Sequence, residues 1–166
     1  MKGLIIYKTK YGSTEQYAKW LGEDLGFDVV PVNKVKGLAG YDTVILGSCV
    51  RMGRAGIAGW INRTWAKLQD KKLAYFTCSG ALPADPLLQE YYTKAFPDNV
   101  RSKLPYFPLN GRFIFRELNW LDSKLMNMAI NMTKKSNPAE AAAMAEEYDR
   151  VSRDDIRPIV AYIKGA

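Results

Sequence analysis

Lys2-Gly3-Leu4-Ile5-Ile6-Tyr7-Lys8-Thr9-Lys10-Tyr11-Gly12-Ser13-Thr14-Glu15-Gln16-Tyr17-Ala18 is the stretch on which the reading of this chain turns. The apolar run from Leu4 to Tyr7 breaks into a polar turn, and a helical pattern follows at once. A buried strand that feeds a hydroxyl-rich turn onto a helix N-terminus makes an anion site. The first N–H groups of a helix lack intrahelical acceptors, and the helix dipole favours negative charge there. Thr9, Ser13 and Thr14 add side-chain donors, and Gly12 lets the backbone approach closely. A terminal phosphate is the expected guest. The turn has neither the Gly-x4-Gly-Lys spacing of a Walker loop nor the three glycines of a dinucleotide fingerprint. The competing reading is an ordinary strand-to-helix turn, with Ser13 as N-cap and Gln16 completing a capping box.

Strands and helices alternate outward from this point. Gly3–Tyr7, Phe27–Val32, Asp42–Ser48, Lys72–Cys78 and Tyr106–Leu109 read as strands. Ser13–Leu25, Ile57–Leu68, Asp85–Phe96 and Ser152–Lys164 carry helical apolar stripes, the first of them on Tyr17, Trp20, Leu21 and Leu25. Gly26 is a stop signal, and Pro86 suits a first helical turn. Strands separated by helices imply an α/β fold with right-handed crossovers. The expectation is a doubly wound five-stranded parallel sheet with helices on both faces. Residues 1–166 would form one domain, with a helical insertion at 111–135 before the last helix.

Composition narrows the chemistry. The chain has 166 residues, 48% of them apolar, and no apolar run long enough to span a bilayer. It contains no histidine, which removes the commonest general base and metal ligand; no metal site is expected. Cys49 and Cys78 do not make a secreted disulfide framework, so the cytoplasm is the expected compartment. Any reaction is expected to belong to a borrowed cofactor. Net charge is +7 and uneven: residues 51–135 hold fourteen Lys/Arg against six Asp/Glu. That surplus suits an anionic ligand, an acidic partner or an anionic membrane surface. No recognised nucleic-acid motif accompanies it, and no nucleic-acid partner is expected.

In an open α/β sheet, ligands bind beyond the carboxyl ends of the strands. Two further loops lie there, Gly47-Ser48-Cys49-Val50-Arg51-Met52-Gly53-Arg54 and Thr77-Cys78-Ser79-Gly80-Ala81-Leu82-Pro83. Both combine small residues, hydroxyls and glycine, so a flat ring can approach the backbone.

Together the three loops resemble the flavodoxin family, which binds FMN. Thr9-Lys10-Tyr11-Gly12-Ser13-Thr14 is similar to its phosphate loop, with Tyr11 where that loop usually has a hydroxyl. Ser48, Cys49, Val50, Arg51, Met52 and Gly53 match one wall of the flavin site, and Thr77, Cys78, Ser79 and Gly80 the other. The resemblance implies an FMN-binding redox protein that transfers electrons between partners. Electron-shuttling flavodoxins, however, are acidic and stack an aromatic ring on the flavin, whereas this chain is basic and offers Met52, Leu82 and Pro83. The form Gly-Ser-x-Val-Arg-Met-Gly, and the segment from Gly111 to Met132, resemble the branch containing menaquinone-dependent protoporphyrinogen dehydrogenase. The alternative that branch implies is an FMN-dependent, quinone-linked dehydrogenase. A cation such as Arg51 beside the ring would favour the anion of the reduced flavin.

Leu118, Leu121, Leu125, Met128 and Met132 recur at helical spacing within the insertion, beside Arg112, Arg116, Lys124, Lys134 and Lys135. This stripe reads as core packing, a homodimer face, a substrate cover, or a peripheral contact with an anionic membrane at its inner face. The expected partners are a redox protein or a quinone- or porphyrin-type substrate.

Overall fold

In the computed structural model, which describes residues 2–51 and 53–165, the opening apolar run forms β1 (Gly3–Lys8) at the middle of a sheet. β2 (Asp28–Pro31), β3 (Thr43–Arg51), β5 (Lys72–Ser79) and β6 (Tyr106–Asn110) join it in the order β2-β1-β3-β5-β6, all parallel. A short β4 (Arg54–Ala55) folds back antiparallel on the end of β3 and makes the sheet six-stranded. The inner strands read as almost unbroken apolar runs because both of their faces are covered. Alternate residues serve two cores. Leu4, Ile6, Val44, Leu46, Leu73 and Tyr75 pack against α2 (Ala58–Leu68) and α3 (Pro86–Ala95). Ile5, Ile45, Ala74 and Phe76 pack against α1 (Ser13–Leu25) and α7 (Arg157–Lys164). The sheet is therefore doubly wound. A one-turn α4 (Asp98–Arg101) seats Val100 in the first core.

One helix cap and one helix start differ from the sequence reading, while α1 spans Ser13–Leu25 as expected. Ser13 is not the N-cap of α1: Gly12 holds that place with φ 90°, and no side chain caps the helix. The turn closes upstream instead, with Gly12 N–H donating to Thr9 Oγ1 at 3.0 Å. The closing helix begins later than Ser152. Ser152 caps a 3-10 turn over Arg153–Ile156, and α7 follows with Pro158 in its first turn, where proline costs no hydrogen bond.

The chain divides into two compact units, one running to Gly111 and resuming at Val151, the other spanning Arg112–Arg150. The second unit thus extends past the 111–135 segment. Asn119 caps α5 (Trp120–Ser136), Asn137 caps α6 (Pro138–Ala145), and β7 (Arg112–Phe113) pairs with β8 (Tyr148–Asp149). Phe113 contacts the rings of Phe115 and Tyr148 at centroid distances near 6 Å. On α5, Trp120 is 76% exposed and Met132 67%, with Leu121 and Met128 also exposed. Among the described residues no helix is long and apolar enough to cross a membrane.

The first unit is tied together where its chain leaves and returns. The fully buried Tyr17 of α1 places its hydroxyl 2.6 Å from Asp155 Oδ2 and 3.0 Å from the carbonyl of Asn110, and it accepts from Ser152 N–H. Its single proton goes to the carboxylate, the stronger acceptor. Asn110 Nδ2 donates to the same oxygen at 3.1 Å. Arg153 adds surface pairs with Glu23 and Asp24. Burial and the Asp155 bond hold the phenol far above its ordinary pKa. Replacing Tyr17 by Phe should lower stability by about 1–3 kcal/mol, the cost of leaving these groups unpaired. Urea unfolding should show a lower midpoint at unchanged slope; an unchanged midpoint would refute the clamp.

Candidate functional site

In the order β2-β1-β3-β5-β6 the crossovers leave β1 and β3 in opposite directions, so the loops after these strands diverge and open a crevice between them. The polar turn 9–12 occupies one side of it. Gly12 in the left-handed region turns the chain so that Ser13 begins a helix of 13 residues. The first intrahelical bond runs from Gln16 N–H to the Gly12 carbonyl at 2.9 Å. The three preceding amides, on Ser13, Thr14 and Glu15, are those that a helix leaves for an outside acceptor. Thr14 is fully buried, and its hydroxyl has no hydrogen-bond partner; it touches the Cys78 thiol only loosely. A buried hydroxyl without a partner normally marks a site that something else completes. The Lys10 ammonium lies over the Tyr11 ring, 5.5 Å from its centroid.

The β3 loop is built as a hairpin, which the sequence reading missed. Val50 pairs with Ala55 and Arg51 with Arg54, and Gly53 at the tip has φ 70°. A Cβ on Gly53 would stand 3.1 Å from the Tyr91 ring of α3, so the tip rests on that aromatic face. Met52 lies outside the described residues, and Arg51 is placed by its backbone at the end of β3. Ser48 is fully buried, and its Oγ accepts from Ile57 N–H at 3.2 Å, which fixes the start of α2. Lys8 reaches across from β1 to the Gly56 carbonyl at 3.0 Å.

At the end of β5 the Thr77 hydroxyl bonds to that of Tyr106 at 2.7 Å, and Ser79 Oγ donates to the Ala81 carbonyl at 3.1 Å. The hydroxyls of Ser48, Thr77 and Ser79 thus all serve the frame of the crevice. Gly80 is exposed. Cys78 is 3% exposed, and burial raises its thiol well above the ordinary range. Burial acts the same way on Tyr75 and Tyr106, which stay neutral near physiological pH. Cys49 and Cys78 are register partners on adjacent strands, and neither forms a disulfide. Gly111 was legible only as the start of the insertion. It is required because a Cβ there would meet the Ser79 carbonyl oxygen at 2.3 Å. Among the described residues no group of three or more His, Cys, Asp or Glu is placed to hold a metal ion.

The sequence profile of the flavodoxin domain matches residues 4–139, which include all three loops. The chain belongs to the flavodoxin domain family. Among solved structures, the rubredoxin oxygen:oxidoreductase of the anaerobe Desulfovibrio gigas aligns at 17% identity and a TM-score of 0.50 over 86% of this chain and 36% of that one. A flavodoxin from the domain Archaea aligns at 19% identity and 0.49, covering 81% of this chain and 99% of its own. A WrbA-like flavodoxin from Agrobacterium tumefaciens aligns at 21% and 0.47, over 78% and 98%. At such identities only the fold is shared. No curated protein matches the sequence. In this flavodoxin domain the contact between Gly111 and Ser79 sets the spacing of the last two strand ends. Gly111→Ala should destabilise it by about 1–3 kcal/mol, because the clash is with backbone of an inner strand. A melting temperature equal to that of the unaltered chain would refute that close approach.

Proposed function

We propose that this protein binds FMN at the carboxyl edge of β1, β3 and β5 and passes electrons between redox partners. The observation that carries the reading is the uncapped N-terminus of α1 behind Gly12, at the switch point of a flavodoxin-type sheet. The amides of Ser13, Thr14 and Glu15 and the hydroxyls of Ser13 and Thr14 would hold the phosphate, with Lys10 supplying charge. Thr9 would act through the turn, since its hydroxyl is spent on Gly12 N–H. The flavin ring would lie between the segments 48–53 and 77–80. FMN, when bound, supplies one- and two-electron transfer. The protein's residues orient it, exclude water on the sheet side, and leave protons to be exchanged with solvent, there being no histidine to carry them. The basic balance of the chain favours an acidic redox partner. Two cysteines outside any disulfide suit a reducing compartment such as the cytoplasm.

A second reading, a quinone-linked dehydrogenase of the protoporphyrinogen type, is favoured by one observation within the second unit. On α5 the exposed Met128 and Met132 form an apolar floor on the helix surface, with Lys124 and Lys135 beside them. An apolar floor between ammonium groups fits a flat apolar molecule that carries carboxylates.

Binding of FMN and of riboflavin, followed by quenching of flavin fluorescence, tests the main reading. One FMN per chain should bind at least about tenfold tighter than riboflavin, a difference of about 1.4 kcal/mol supplied by the phosphate. Ser13→Asp, which puts a carboxylate in the cradle, should erase that preference without unfolding the domain. A protein indifferent to both flavins refutes the proposal. Turnover of protoporphyrinogen with a menaquinone analogue would select the second reading over a carrier.

A further inference from the structure

Neither cysteine is needed for holding a phosphate, yet the fold sets the two side by side. Cys49 of β3 and Cys78 of β5 are partners in a parallel register. Such partners point to the same face of the sheet, and neighbouring strands run about 4.8 Å apart. A disulfide spans Cα separations of roughly 4.4–6.8 Å, so the ladder already brings the pair within reach. The thiols sense each other electrostatically, since Cys49 adds to the forces that keep Cys78 protonated. They differ in access. Cys49 is half-buried, whereas Cys78 lies in the core formed with α1 and α7. Cys49 thus keeps some contact with solvent, whereas Cys78 has almost none.

We propose that Cys49 and Cys78 form an oxidisable dithiol, which a small-molecule disulfide converts into an intramolecular disulfide, with Cys49 as the point of attack. In the first step the Cys49 thiolate attacks one sulfur of the oxidant R–S–S–R; the Cys49–S–S–R bond forms and RS⁻ leaves. In the second the Cys78 thiol gives up its proton and attacks Cys49 Sγ, and the second RS⁻ leaves. Both released thiolates take up the protons that the cysteines lost. Two cysteine thiols are thus oxidised, one external disulfide is reduced to two thiols, and no other reactant is needed. The buried Cys78 is a poor nucleophile toward solution, but its reaction with an adduct on the next strand is intramolecular and gains from proximity. The bond would stitch together the strand ends from which the loops at 48–53 and 77–80 spring, and so would tie the thiol state of the protein to the geometry of the crevice.

The test uses the purified full chain and oxidised glutathione at mildly alkaline pH, with intact mass and thiol titration after an acid quench and unfolding. The expected product is lighter by two hydrogens, has no titratable thiol and runs as a monomer on a non-reducing gel. Cys78→Ser should stop at one glutathione adduct, on Cys49. A wild-type chain that ends as a stable adduct with one thiol still titratable, or that remains fully reduced, overturns the proposal. Wild-type mass carries the result even if a variant folds poorly. The readout does not depend on flavin, so its failure and a failure to bind FMN are separate events.

Discussion

A parallel ladder cannot be closed by tight hairpins, and that constraint governs this molecule. Each strand of β1, β3 and β5 must be followed by a crossover long enough to return to its starting edge. The crossovers are helices, which bury both faces of the sheet and make the central strands apolar along their length. As a consequence the turns that follow these strands all lie at one edge. The loops at 9–12, 48–53 and 77–80 are brought together by topology, although up to about seventy residues separate them. The same register pairs Lys8 with Ser48 and Ser48 with Thr77 across three strands.

Within that edge, most polar side chains are engaged in holding the loops rather than facing outward. Ser48 starts α2, Thr77 bonds to Tyr106, Ser79 braces its own turn, and Thr9 closes the turn at Gly12. What the frame leaves open is backbone: the first amides of α1, and beside them the unpartnered Thr14 hydroxyl. The site is therefore suited to a ligand that brings its own acceptors and its own chemistry. The absence of histidine from the sequence points the same way.

The strands and the main helices were legible in the sequence because their signals are periodic and long. Leu4–Tyr7 and Val44–Leu46 announce strands buried on both faces, and the stripe from Ile57 to Leu68 announces a helix. What escaped has a different physical origin. The cap of α1 follows from the positive φ of Gly12, which lets the turn close through Thr9 although Ser13-x-x-Gln16 has the form of a capping box. The β3–β4 hairpin is two residues long on its short side and depends on Gly53 meeting Tyr91, a contact between segments far apart in the chain. The bonds of Tyr17 to Asp155 and Asn110 likewise join distant segments, and no local pattern encodes them. The unit at 112–150 was visible as an amphipathic stripe, but its far boundary is set by a two-residue pairing of Arg112–Phe113 with Tyr148–Asp149.

In the proposed site the bare N-terminus of α1 would hold the phosphate of FMN. Titration of the isotopically labelled protein with FMN, followed through its backbone amide resonances, tests this most directly. The amides of Gly12, Ser13, Thr14 and Glu15 are expected to shift most strongly and to saturate at one equivalent, with smaller ring-induced shifts in the segments 48–53 and 77–80. Unmoved amides at 12–15, or saturable shifts centred elsewhere in the chain, would contradict it.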